Sequence, residues 1–156
     1  MKKARIKTPL GIAELCGNSD GLISVKVMDA GSVTSEIPSE LKTAATQLAS
    51  YFKGELNEFS LKLNPQGTDF QKKVWKQLEK IPYGTTTSYL QLSRELGDKK
   101  AIRAVAAANG KNPLWIIVPC HRVIGSDGSL TGYAGGLYRK KWLLDLENPP
   151  KQQSLF

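Results

Sequence analysis

A Pro65-Gln66-Gly67 break divides the chain into two parts with different hydrophobic patterns. Proline and glycine together interrupt regular structure, so the break predicts a domain boundary between residues 1–66 and residues 67–156. Before it, apolar residues recur at both strand and helix spacings, and after it they recur mainly at helix spacing. The chain is therefore expected to be α+β, with a small N-terminal α/β domain and a mostly helical C-terminal domain.

The N-terminal part contains candidates for three strands and one helix. Residues 11–16 and 22–28 are predicted to be strands, and the Asn-Ser-Asp-Gly segment 18–21 predicts a hairpin turn between them. Residues 38–52 are predicted to form a helix, and alternation over residues 59–63 predicts one more strand. The predicted inward face of the helix consists of Leu41, Ala44, Ala45, Leu48 and Phe52.

The C-terminal part predicts four helices, at residues 69–80, 89–96, 99–108 and 137–147. The second and third are short and meet at Gly97, a spacing typical of a helix-turn-helix. Side chains able to cap a helix precede the first three helices: Thr68, Ser88 and Asp98. The third helix is rich in alanine, which favours either a close approach to DNA or tight packing between helices.

Positive charge is concentrated after the break. The chain has a net charge of +8, and residues 1–66 hold 8 Lys/Arg against 7 Asp/Glu, whereas residues 67–156 hold 14 against 7. Such a basic segment beside a near-neutral one favours a polyanionic partner for the C-terminal part, although charge alone could equally serve solubility.

Several classes of protein are disfavoured by composition. Two cysteines and one histidine are too few for a disulfide framework or for a zinc site built from those residue types. No apolar run reaches the roughly 20 residues that a membrane span needs. The first ten residues lack the apolar core of a signal peptide. We expect a cytoplasmic protein, associated with the nucleoid in a prokaryote, that needs no membrane.

The segment Pro119-Cys120-His121-Arg122 is the best candidate for a reactive site. Residues 115–118 are β-branched and apolar, which predicts a buried strand ended by Pro119. Cys120 would lie where that strand meets a turn, with the positive charge of its neighbours lowering the thiol pKa. Adjacent side chains on an extended backbone point to opposite sides, so a bridging water between Cys120 and His121 is expected rather than direct contact. His121 would need an orienting acceptor, for which Asp127, Asp145 and Glu147 are the downstream candidates.

The sequence around Cys120 resembles the O6-alkylguanine-DNA alkyltransferase family, the methylated-DNA–protein-cysteine methyltransferases. The resemblance rests on Asn112-Pro113, on the string from Ile117 to Gly125 that includes Pro-Cys-His-Arg-Val, and on Gly132 to Leu137. It runs from about Phe70 to Glu147 and is weaker in the N-terminal half. It implies a ribonuclease-H-like N-terminal domain and a winged-helix-like C-terminal domain.

The resemblance also implies roles for individual residues. Cys120 matches the alkyl acceptor, His121 its water-linked base, and Glu147 the partner of that base. Asn112 matches the asparagine that braces the active-site turn, and Tyr89 the tyrosine linked to nucleotide flipping and to protonation of the leaving guanine. The residues that would line the substrate pocket are Val123, Tyr133, Ala134 and Gly135.

DNA contacts are implied in the same way. Arg103 matches the arginine that takes the place of a flipped base, and Tyr89, Ala104 and Ser126 are the other expected contacts. The resemblance implies a monomer that binds double-stranded DNA through the minor groove. It implies single-turnover removal of the alkyl group from O6-alkylguanine, with O4-alkylthymine as a second candidate substrate. No cofactor and no metal are expected, because the lesion is itself the alkyl donor.

Position 134 and the alanine-rich helix depart from the pattern common in the family. Ala134 stands where some members carry serine, and Ala106 and Ala107 stand where glycine is common. These departures bear on substrate range and stability.

Three other functions compete with alkyl transfer as interpretations of this sequence. A non-enzymatic lesion-binding relative would lack the acceptor cysteine and usually the N-terminal half. A thiol hydrolase would bring cysteine and histidine together from distant positions. A plain helix-turn-helix regulator would leave the cysteine segment without a use.

Overall fold

The computed structural model describes residues 1–133 and 135–150. The N-terminal part is built on an antiparallel sheet of three strands in the order β1 (Lys2–Thr8), β2 (Gly11–Asn18) and β3 (Gly21–Met28). The predicted hairpin between β2 and β3 is confirmed. Strand β1 was not predicted, because its lysines and arginine hide an alternation in which Ala4 and Thr8 are buried.

One helix, α1 (Ser39–Phe52), packs on this sheet close to its predicted bounds. Four of the five residues predicted to face inward are buried, but the fifth, Phe52, is only half-buried. Tyr51, the residue before it, is completely buried instead. Thus α1 carries a phenol hydroxyl into the core, where it needs a hydrogen-bond partner.

The strand predicted at residues 59–63 is wrong. The segment forms only an isolated bridge, in which Leu22 donates its N–H to the carbonyl of Lys62 at 2.8 Å and accepts one from Asn64 at 2.8 Å. Half-buried and exposed side chains alternate here without the repeated backbone pairing of a strand, because the extended chain meets the edge of β3 at one point only.

The helices of the C-terminal part follow the prediction closely. They are α2 (Asp69–Leu78), α3 (Tyr89–Glu95), α4 (Ile102–Gly110, after a 3-10 turn at Lys99–Ala101) and α5 (Leu137–Glu147). Thr68 and Gln71 form a capping box, and the Ser88 and Asp98 side chains accept hydrogen bonds from the backbone of the helices that follow. Helices α3 and α4 pack against each other as the predicted helix-turn-helix. Trp75 Nε1 donates to Ala108 O at 2.8 Å and so joins α2 to α4.

The strand predicted at residues 115–118 is also wrong. This segment is a buried turn whose backbone bonds are local, such as Val118 N to Leu114 O at 3.0 Å, and Ile116 has a φ of 71°. A positive φ is strained for a β-branched residue, so the surrounding packing must hold it. The side chains of this segment are apolar because the segment is buried. Buried turns share that composition with buried strands, so the composition alone predicts a strand.

Backbone hydrogen bonds join the turn to the N-terminal sheet. Residue Val25 of β3 donates to Pro113 O at 2.9 Å and accepts from Trp115 N at 3.2 Å. The strands β4 (Thr87–Ser88) and β5 (Val123–Ile124) pair in parallel just after the cysteine segment. The N-terminal sheet and the helix-turn-helix thus fix the two ends of the candidate site. Among the helices of the described residues, none has the length and apolar character needed to cross a membrane.

Candidate active site and nucleic-acid interface

Cys120 begins a 3-10 turn, Cys120–Arg122, that follows the buried turn directly. Its side chain is buried, with 7% of the residue exposed, and it lies in the wall of a cavity of about 410 Å³. Segments of β3, the end of α4 and the loop before α5 form its walls. Its lining comprises Val25, Lys26, Val27, Asn109, Gly110, Lys111, Asn112, Pro113, Trp115, Cys120, Gly132, Tyr133 and Gly135.

Asn112 ties the turn together from within. Its Nδ2 donates to Val118 O at 2.7 Å, and its Oδ1 accepts from Leu114 N at 2.9 Å. Both bonds are made at the backbone within the six residues that lead to Cys120. The amide therefore fixes the path of the chain on which the thiol is mounted.

The electrostatic environment of the thiol is mixed. Burial raises the pKa of Cys120 above its ordinary value, while hydrogen bonding from Asn112 and the positive charge of Lys140 partly oppose that rise. The thiol is therefore protonated at neutral pH in the DNA-free protein. The sequence-based expectation of a lowered thiol pKa is wrong, because burial outweighs the nearby positive charge. Formation of the reactive thiolate then requires a base.

His121 is the nearest candidate for that base along the chain, and its ring is completely buried. Its Nε2 lies 2.6 Å from Oε2 of Glu147 at the end of α5. Of the two other acceptors considered, Asp127 accepts from Ser129 N and Asp145 pairs with Lys141. The tertiary structure therefore brings His121 to Glu147 and to neither aspartate.

Glu147 holds a concentrated set of hydrogen bonds. Arg122 donates from Nε to Oε1 at 2.7 Å and from its terminal nitrogen to Oε2 at 3.0 Å, and Tyr51 donates to Oε2 at 2.5 Å. Burial alone would raise the pKa of Glu147, but the hydrogen bonds from His121, Arg122 and Tyr51 overcome it and lower the pKa to about 2. Glu147 is therefore a carboxylate at every physiological pH.

The protonation state of His121 follows from that of Glu147. Burial lowers the pKa of His121 below its ordinary value, with Glu147 opposing the shift. A neutral imidazole beside a carboxylate places its proton on Nε2, because that nitrogen must donate. Nδ1 then carries the lone pair, and it makes no hydrogen bond to any of the residues described here. The ring is thus arranged to accept a proton at Nδ1.

The predicted substrate-pocket residues divide into two groups. Tyr133 and Gly135 line the cavity beside Cys120, and a Cβ atom at Gly135 would lie 3.0 Å from the Tyr133 ring. Val123 is instead fully buried in β5, outside that lining. Ala134 lies outside the described residues. The structure therefore brings only part of the predicted set to the thiol.

Trp115 belongs to this wall, although sequence reasoning gave it no role beyond the core. It is 6% exposed, and its Nε1 and the hydroxyl of Tyr133 are both buried without a hydrogen-bond partner among the described residues. Two polar hydrogens in the wall of the cavity are thus available to a ligand with acceptors.

Lys140 is a second residue that the sequence did not reveal. The residue is fully buried in α5, and its Nζ donates to Thr131 O at 2.9 Å. Burial lowers the pKa of Lys140, while the Cys120 thiolate would raise it. Thr131 O also accepts from the hydroxyl of half-buried Tyr89 at 3.4 Å. Lys140 and Tyr89 thus meet the loop next to Gly132, at the edge of the cavity.

The remaining predicted contacts lie on the surface. Arg103 and Ala104 are exposed on α4, and Ser126 is exposed in the turn after β5. The exposed face of α4 is slim, because Ala107 lies one turn beyond Arg103. No cluster of His, Cys, Asp or Glu among residues 1–133 and 135–150 is arranged to hold a metal ion.

A helix-turn-helix, a buried cysteine beside it and a buried His-Glu pair are the features of a class of DNA-binding proteins with a thiol nucleophile. Family models for the ribonuclease-like domain and the DNA-binding domain of 6-O-methylguanine DNA methyltransferase match residues 1–65 and 69–149. The chain belongs to this 6-O-methylguanine DNA methyltransferase family.

Individual relatives agree along nearly the whole chain. A methylated-DNA–protein-cysteine methyltransferase of Methanosarcina barkeri is 50% identical over 149 residues, covering 91% of this chain and 94% of the relative. The crystal structure of Mycobacterium tuberculosis O6-methylguanine methyltransferase is 43% identical, with a TM-score of 0.84 and coverage of 98% and 96% of the two chains. A second structure from that organism, OGT in complex with DNA, is 48% identical, with a TM-score of 0.83 and coverage of 92% and 90%.

Proposed function

We propose that this protein repairs alkylated DNA by moving the alkyl group from O6 of guanine to the sulfur of Cys120. The class of reaction, transfer from methylated DNA to a protein cysteine, is that of the family. The observation that carries the assignment to Cys120 is its burial in the cavity wall next to the His121–Glu147 pair, 2.6 Å apart. Cys16, the other cysteine, is buried in β2.

The reaction balances with the groups present. His121 takes the thiol proton at Nδ1, through a water molecule, while Nε2 remains hydrogen bonded to Glu147. The sulfur then forms a bond to the alkyl carbon as the bond from that carbon to O6 breaks. The electron pair of the broken bond leaves with guanine, which takes up a proton from Tyr89. The thioether on Cys120 is stable, so each protein molecule reacts once.

Burial of the thiol requires the damaged base to leave the duplex. An alkyl group on O6 lies within the base stack, and a cavity of about 410 Å³ can receive an extruded base. Tyr133 and Gly135 would line its path, with the indole N–H of Trp115 and the Tyr133 hydroxyl as donors to the base.

The exposed face of α4 is the proposed DNA contact. Its small side chains suit a close approach in the minor groove, and Arg103 would fill the gap that the extruded base leaves. Ala104 beside it and Ser126 in the neighbouring turn would contact the backbone. One copy of the chain carries every group named here, so the protein is proposed to act as a monomer on double-stranded DNA.

The domain boundary is proposed to lie at Pro65-Gln66-Gly67, between residues 1–66 and 67–156. The separate family matches to residues 1–65 and 69–149 support it. Limited proteolysis should cut first between residues 64 and 68 if this segment is a linker.

Intact-mass measurement tests the proposed acceptor directly. Incubation with duplex DNA containing O6-methylguanine should add one methyl group to the wild-type protein and to Cys16→Ser, and none to Cys120→Ser. Peptide mapping should place the methyl group on Cys120. Methylation of Cys120→Ser, or loss of transfer in a folded Cys16→Ser variant, would contradict the assignment.

A further inference from the structure

A tyrosine of the N-terminal part reaches the carboxylate that serves the active site. The hydroxyl of Tyr51, near the end of α1, donates to Oε2 of Glu147 at 2.5 Å, across 96 residues of sequence. Both side chains are buried, with Tyr51 completely so. The contact joins the domain that holds the sheet to the last residue of α5.

That oxygen is the one to which His121 donates. Oε2 of Glu147 accepts from His121 Nε2 at 2.6 Å, from Tyr51 and, at 3.0 Å, from Arg122. Three donors share its negative charge, so each one weakens the pull of the carboxylate on the other two protons. Burial raises the pKa of Tyr51 far above its ordinary range, with Glu147 adding to the effect. The phenol therefore keeps its proton and acts as a donor throughout.

We propose that Tyr51 is a positioning residue for alkyl transfer, which aims Oε2 of Glu147 at His121 and limits the basicity of the imidazole. The inference rests on the proposed function, since it acts through the His121–Glu147 pair. It also gives the N-terminal domain a part in the chemistry: α1 supplies a hydrogen bond that the C-terminal part lacks by itself.

The ring and the hydroxyl of Tyr51 make separable contacts. The ring packs against Phe52, Phe59 and Tyr83 at centroid distances of 5.7, 5.5 and 6.2 Å. Phenylalanine preserves all three contacts and removes only the oxygen that bonds Glu147. Because Glu147 retains its bonds to Arg122, the Tyr51→Phe variant keeps the carboxylate charged and paired.

The chain contains one histidine, so an NMR titration of its imidazole nitrogens reports His121 without ambiguity. In the wild type, Nε2 should carry the proton at neutral pH. In Tyr51→Phe the carboxylate pulls harder on that proton, so the pKa of His121 should rise by about half a unit or more. The acid limb of the transfer rate against pH should move upward with it, so that at a pH below the pKa of His121 the rate should fall about threefold or more.

Tyr83→Phe is the matched control. Tyr83 packs in the same aromatic cluster and lies near Arg122, but it makes no hydrogen bond to Glu147 within the part of the chain that is described. Its loss of a hydroxyl should leave both the His121 titration and the pH profile of transfer unchanged. Equal shifts in the two variants would assign the effect to packing and overturn the proposal.

The two proposals fail in different ways. An unchanged His121 titration in a folded Tyr51→Phe variant overturns the role of Tyr51, even where transfer to Cys120 proceeds. Absence of methyl transfer in the wild type overturns the proposed function, and the NMR measurement still reports whether Tyr51 controls His121.

Discussion

His121 Nε2 lies 2.6 Å from Oε2 of Glu147, although 26 residues separate them and both side chains are buried. The second imidazole nitrogen, Nδ1, makes no hydrogen bond to any described residue, which leaves its lone pair free within the cysteine turn. Arg122 donates hydrogen bonds to both oxygens of the same carboxylate, so His121 and Arg122 together fix the position of the carboxylate. We expect this arrangement to affect both the rate of alkyl transfer and the pH dependence of the free energy of unfolding.

Glu147→Gln should slow transfer by about 10²-fold, because the amide neither orients His121 nor stabilises it when protonated. DNA affinity should stay near the wild-type value, since Glu147 is buried, whereas the proposed DNA contacts are exposed. Single-turnover rates and a binding titration check both statements. Asp145→Asn removes a half-buried carboxylate from the same helix, whose ion-pair partner among the described residues is Lys141, and should leave the rate unchanged. A wild-type rate in Glu147→Gln would rule out the His-Glu pair as the base.

Stability should fall in acid from about pH 6.5 downward. The pKa of Glu147 is about 2 in the folded protein against 4.5 ordinarily, so its contribution is complete above pH 4.5 and is lost as the pH falls toward 2. His121 changes the stability in the same direction. Burial favours its neutral form and lowers its pKa below 6.5, so its contribution to stability is also lost as the pH falls below 6.5. The carboxylate accounts for at most about 3 kcal/mol. Thermal denaturation between pH 4.5 and pH 2 should show a flatter dependence in Glu147→Gln, and parallel curves would contradict this origin.

Asn112→Ala should destabilise the cysteine turn and slow transfer. The Val118 carbonyl and the Leu114 N–H would each lose a partner, at a cost of about 1–3 kcal/mol in the free energy of unfolding. The pKa of the Cys120 thiol should rise further, because the Asn112 side chain lowers it. Iodoacetamide labelling of Cys120 against pH measures that shift. The exposed Asn57 offers a control in Asn57→Ala, and equal labelling profiles in the two variants would show that Asn112 does not act on the thiol.

Arg103→Ala should reduce repair of duplex DNA far more than repair of a short single strand or of free O6-benzylguanine. Only the duplex requires a stacked base to be extruded, which costs a few kcal/mol. Lys100→Ala removes the same charge from an exposed position just before α4, and should weaken all DNA binding slightly without this selectivity. An equal loss on all three substrates would assign Arg103 to the fold or the pocket.

The helical part of the fold could be predicted from sequence because its signals are local. Caps at Thr68, Ser88 and Asp98 and the 3.6-residue period of apolar positions define α2, α3 and α4 within a few residues. The strings Pro-Cys-His-Arg-Val and Gly-Tyr-Ala-Gly-Gly were enough to identify the family, since they are contiguous. The structure of the non-helical segments was predicted less well. Residues 115–118 and 59–63 have the composition of strands, yet the first forms a turn and the second an isolated bridge.

The sequence by itself therefore determined the helices, the family and the cysteine proposed as the alkyl acceptor. The residue types left Glu147, Asp127 and Asp145 open as partners of His121, and the resemblance implied Glu147, but the contact itself is seen only in the tertiary structure. Only the tertiary structure decided that Tyr51 reaches the same carboxylate and that burial raises the pKa of the Cys120 thiol. These features depend on which distant groups share a water-poor interior. Hydrogen bonds and charges act through space over a few ångströms, and no local pattern along the chain records which groups will lie that close.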